Sequence, residues 1–119
     1  MDTVVSRMPL SEERKGENEA FFRELNERLE NRAIEQEPGA GRSFHAVCEC
    51  ALEACTVRVS ISLTEYEYVR AASARFIVAR GHADAEVEAV VKSTAGYDVV
   101  EKFGEVAQVA QRLDSRGGE

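Results

Sequence analysis

The chain has 119 residues, a net charge of −7, a pI near 4.9, and 44% hydrophobic against 31% charged residues. This balance fits a globular protein and excludes a wholly disordered one, while the acidic surplus without any Lys/Arg run argues against nucleic acid as a partner. No stretch is long and apolar enough to span a membrane, Met1–Pro9 lacks a signal-peptide core, and three cysteines are an odd number for a disulfide framework, so the expectation is a reduced, cytoplasmic protein.

Residues 1–10 read as a flexible arm, 11–114 as a single α+β domain and 115–119 as a flexible tail. Ser11 can cap a helix over 11–34, with Glu12 and Glu13 at its positive dipole end. Phe22, Leu25, Leu29 and Ala33 recur at helical spacing as one apolar stripe, with Phe21 beside it. Glu19–Arg23 and Glu24–Arg28 are i,i+4 pairs expected on the solvent face. Glu35–Arg42, with Pro38, Gly39 and Gly41, ends the helix as a linker.

A hairpin over 44–63 follows. If Cys50 lies across from Cys55, then Phe44, Ala46, Cys48 and Cys50 share a face with Cys55, Val57, Val59, Ile61 and Leu63. His45, Glu49, Thr56, Arg58, Ser60 and Ser62 take the other face, with Val47 the exception. All three thiols therefore converge on the buried side.

Thr64-Glu65-Tyr66-Glu67 has a capping-box pattern that opens a short helix to about Ala72. Arg75–Ala79 reads as a third strand, closed by Arg80-Gly81-His82. Asp84 is expected to cap a third helix with a buried stripe of Val87, Val90 and Val91 and with Gly96 just past its end. Tyr97–Phe103 forms a fourth strand, and Val106, Val109, Ala110 and Leu113 are spaced for a last amphipathic segment. The fold class is α+β: a small, mainly antiparallel sheet of three or four strands with helices on one face.

The chemistry concentrates in Cys48-Glu49-Cys50-Ala51-Leu52-Glu53-Ala54-Cys55. A structural zinc takes four Cys and His donors in a tetrahedron. A C-x-C spacing puts two thiols on one side of a strand, and the hairpin return brings the third. His45 falls on the wrong face, whereas His82 follows a glycine at a strand end and can turn inward. The favoured set is Cys48, Cys50, Cys55 and His82, holding a zinc that staples the small core. Two other readings compete: small buried hydrophobes on a core strand, and redox thiols. Glu49 and Glu53 are read as solvated positions, although either could be imagined as a general base.

Glu17–Arg28, Cys48-Glu49-Cys50 with Cys55, Leu63–Arg70, Gly81-His82, Val99–Lys102 and Gly104-Glu105 together resemble a set of small uncharacterised actinobacterial-type proteins, over most of the chain to about residue 114. The resemblance implies no activity. It does imply that the three cysteines and Gly81-His82 belong to one constellation.

Phosphate loops, nucleophile elbows, H-E-x-x-H and the paired motifs of zinc deaminases are all missing from the sequence. The expectation is a zinc-binding domain with a binding or regulatory role, through a protein partner or self-association by its N-terminal helix or C-terminal segment. A thiol/zinc redox or metal sensor and a small zinc hydrolase with an open coordination position are the rival expectations.

Overall fold

The structure, a computed structural model, describes residues 12–36, 42–50 and 55–116. The expected arm at 1–10, the linker centre at 37–41 and the hairpin tip Ala51–Ala54 lie outside the described residues. The elements run α1 (Glu12–Gln36), β1 (Ser43–Val47), β2 (Arg58–Ser62), α2 (Leu63–Arg70), β3 (Arg75–Val78), β4 (Glu88–Ser93), β5 (Asp98–Lys102) and α3 (Gly104–Arg112). The class is α+β with antiparallel pairing throughout, and the strands divide between two sheets, β1-β2 and β3-β5-β4.

The first sheet follows the parity of its sequence. Phe44 pairs with Ile61 and Ala46 with Val59, all four buried, while His45 and Ser60 oppose each other on the exposed face. The Cys48 N–H continues this register by donating to Val57 O at 3.0 Å. Val57, expected inside, is 40% exposed and lies one residue before β2 begins at Arg58. Glu49 N–H turns to Ile77 O on β3 instead, at 2.8 Å. That exchange of partners ties the end of the first sheet to the second.

Two boundaries differ from the expectation. Ser62, not Thr64, caps α2: its Oγ accepts from Glu65 N–H at 3.0 Å, so the cap lies two residues earlier. The expected third helix is β4. Asp84 does open one turn, its carbonyl accepting from the N–H groups of Val87 and Glu88, but Glu88–Ser93 then pairs with β5. Val90 and Val91 stand 47% and 46% exposed where the register shifts between Val90 and Lys92, and of the three valines only Val87 is buried. Adjacent β-branched residues favour a pleated strand. Thr94 closes the hairpin, its Oγ1 accepting from the N–H groups of Gly96 and Tyr97.

The larger departure is the face that α1 turns inward. Its buried residues are Gly16, Glu19, Ala20, Arg23, Asn26 and Glu30, whereas Phe22, Leu25, Leu29 and Ala33 are half-buried and Phe21 is 66% exposed. Glu19 and Arg23 thus do not form a surface pair. Glu19 and Glu88 both bond the Lys102 ammonium, and all three side chains are fully buried. The Arg23 guanidinium donates to the carbonyls of Ser73 and Ala110 and stacks 4.5 Å from the Phe76 ring centre. Buried charges of this kind persist only when each finds partners.

α3 packs its apolar stripe on α1. Val106, Val109 and Ala110 are buried, and a Cβ at Gly16 would lie 2.6 Å from Val109 Cγ1. Leu113 remains 40% exposed. The start of the expected tail is pinned: Arg116 pairs with Glu27, Glu30 and Glu67. Residues 117–119 lie outside the described residues.

Burial lifts the Glu19 carboxyl to about 7, with Lys102 pulling the other way. A carboxyl whose folded pKa exceeds its unfolded value stabilises the fold fully below the unfolded value, and that contribution is lost as pH rises through the folded one. Between pH 6 and 8 the Glu19 contribution should therefore fall by about 1 kcal/mol, and Glu19→Gln should reduce the protein's loss of stability over that window by about this amount. Denaturant melts across that window check it; an equal slope in both proteins would contradict the assignment.

Candidate metal centre

Four donors meet where the hairpin end crosses the turn after β3. Cys48 and Cys50 are buried, Cys55 and His82 are half-buried, and the four ligand atoms lie within 4.8 Å of one another. His82 Nδ1 is 3.5 Å from Cys48 Sγ and 3.6 Å from Cys55 Sγ. A tetrahedral zinc with bonds of about 2.3 Å to sulfur and about 2.0–2.1 Å to nitrogen separates its S and N donors by about 3.6 Å. These separations fit a metal at the centre of the group. All three cysteines are free, so no disulfide competes.

Each donor is placed by backbone. Alternation along the strand sends Cys48 and Cys50 to one side and Glu49 to the other. His82 is delivered by a turn in which its N–H donates to Ala79 O at 3.0 Å and Gly81 takes φ 82°, a conformation that suits glycine. Asp98 fixes that turn from beneath: Oδ2 accepts from Gly81 N–H at 3.2 Å and Oδ1 from Ser93 Oγ at 2.8 Å.

The surroundings suit a thiolate at Cys48. Ala79 N–H donates to Cys48 Sγ at 3.1 Å, the kind of outer contact that holds a ligating sulfur in place. With protons alone, the neighbouring Cys50 thiol and then burial push the Cys48 thiol up, and the Ala79 N–H lowers it. A bound cation reverses that balance, because it favours the deprotonated sulfur directly.

All four site residues expected from the sequence come together here. His45 lies exposed on the other strand face, its carbonyl accepting from the Arg58 guanidinium at 2.8 Å. Glu49 is where the expectation fails. It is fully buried, not solvated: Oε1 accepts from Ile77 N–H at 3.0 Å and Oε2 from Asn26 Nδ2 at 2.7 Å. Burial raises its carboxyl, and the Asn26 and Ile77 hydrogen bonds oppose that rise. Asn26 also clasps Val47, donating to its carbonyl at 2.9 Å and accepting from its N–H at 2.8 Å. The residue before the first cysteine and the residue between the first two are thus tied to α1. The parity that placed Glu49 opposite the thiols was the available signal; what it met there was not readable. Glu53 lies outside the described residues.

Comparison with known protein families, curated proteins and solved structures returned no match.

Asn26→Ala leaves a buried Glu49 oxygen without its donor and frees the approach to Cys48. Metal affinity measured by chelator competition should fall about 10–100-fold, as for other outer-shell supports. An affinity within about twofold of the native protein would show that the clasp does not position the thiols.

Proposed function

We propose that the protein is a small cytoplasmic zinc-binding domain whose Cys48, Cys50, Cys55 and His82 hold a structural metal, and that it works by binding a protein partner. The observation that carries the metal reading is the spacing of His82 Nδ1 from two thiols, 3.5 and 3.6 Å, inside a cluster of four soft donors. Three thiolates and an imidazole suit zinc better than a hard cation. Four protein donors fill a tetrahedron, which supports a structural role over a hydrolytic one that keeps a place for water. Glu49, the carboxylate nearest in sequence, is engaged by Asn26 and Ile77 rather than turned to the thiols.

The partner reading rests on exposed apolar residues and an open sheet edge. The C-terminal stripe is absorbed by α1, so it no longer offers a docking face beyond Leu113. Phe21 on α1 remains outside, and Val90 and Val91 lie exposed on β4, the outer strand of its sheet. An unpaired edge bearing apolar side chains accepts another strand readily. Self-association along β4 is the simplest form. Light scattering should then show a dimer that Val91→Lys dissociates, whereas a native monomer at high concentration that also binds no partner would count against this surface.

Protein purified without chelator should carry one zinc per chain. A structural zinc contributes on the order of 10 kcal/mol of binding free energy, more than a small domain holds in reserve, so strong chelation should unfold it. His82→Ala should lower the zinc content and His45→Ala should not. Full secondary structure after complete zinc removal would refute a structural metal. The half-exposure of Cys55 and His82 keeps the sensor reading as the second choice, and it requires mild peroxide to release the zinc.

A further inference from the structure

The charge balance of the chain inverts at one place away from the metal. A cavity of about 310 Å³ opens between the C-terminal half of α1 and the β1–β2 hairpin. Leu29, Ala33 and Phe44 form its apolar side, and Arg32, Arg42 and Arg58 stand around it. The chain carries 22 acidic residues against 15 basic ones, yet no carboxylate lines this cavity among the described residues. One guanidinium nitrogen of Arg58 is spent on His45 O at 2.8 Å, which orients the fork while leaving its other N–H donors. Arg32 is exposed and enters no ion pair among the described residues.

We propose that this cavity binds a small organic anion, with a carboxylate or phosphate head on Arg32 and Arg58 and an aromatic or branched apolar body against Leu29, Ala33 and Phe44. The planar guanidinium matches the two oxygens of such a head, and the size falls at the lower end of small-molecule pockets. Arg32 and Arg58 beside an apolar wall favour a ligand with both features over a bare ion, which would leave that wall wet. The net charge of −7 opposes anion binding at long range, so recognition depends on these local groups and weakens as salt rises. The metal centre plays no part in this recognition.

The test is a titration of the ¹⁵N-labelled, zinc-loaded full chain with phenyl phosphate, benzoate, inorganic phosphate and benzyl alcohol, followed by amide NMR. Phenyl phosphate or benzoate should shift Leu29–Ala33 and Ser43–His45, and bind at least about tenfold tighter than inorganic phosphate and benzyl alcohol. Whichever head binds tighter identifies the ligand as a phosphate or a carboxylate. Arg32→Gln, at an exposed position that the fold does not use, should weaken binding about threefold or more, and Arg32→Lys should restore part of it. Absence of localised shifts at about 10 mM probe, equal binding of benzyl alcohol, equal binding of inorganic phosphate, or an Arg32→Gln variant that binds as tightly as the native chain would each overturn the proposal.

Discussion

Glu49 is the hinge of the architecture. Its N–H donates to Ile77 O, and its carboxylate accepts from Ile77 N–H, so one residue supplies both bonds that join the hairpin to β3. The second carboxylate oxygen takes the Asn26 amide of α1. Hairpin, second sheet and long helix therefore meet on a single buried side chain. Its neighbours on either side, Cys48 and Cys50, must then point the opposite way, toward Cys55 and His82. The Cys-His cluster and the Glu49 clasp are two faces of the same short extended segment.

The inward face of α1 carries the same logic across the domain. Glu19, Arg23, Asn26 and Glu30 are buried where a typical amphipathic helix would place aliphatic residues. Each reaches a different element: Lys102 on β5, the carbonyls of Ser73 and Ala110, Val47 beside the metal segment, and Arg116 after α3. Removing water from these charges is costly, and the partners offset that cost only in one register of the helix. Sliding α1 by one turn would strand several charges together. The polar face thereby favours a unique docking of the helix, and that docking in turn presents Asn26 to the strand of the cysteines.

Several parts of this arrangement were legible in the sequence. Alternation along 44–63 identified the buried side of the hairpin through Cys48, and Gly81 before His82 marked a turn that could deliver a fourth donor. What failed had physical reasons. Val87, Val90 and Val91 fit helical spacing, but adjacent β-branched residues before a Thr94–Tyr97 turn pair more readily with β5. Phe22, Leu25, Leu29 and Ala33 formed the more hydrophobic stripe of α1, yet the inner face was chosen by ion pairs and hydrogen bonds to residues up to 87 positions away. Periodicity carries no information about such distant partners. Glu49 shows the same limit: its side of the strand was readable, and the helix that covers that side was not.

Zinc K-edge absorption on the native protein measures the central claim most directly, because it reports the identity and number of the donors around the metal. The account predicts one zinc per chain with three sulfur neighbours at about 2.3 Å and one nitrogen at about 2.0–2.1 Å, the nitrogen being lost in His82→Ala. A site with fewer than three sulfurs, or a first shell unchanged by His82→Ala, would contradict it.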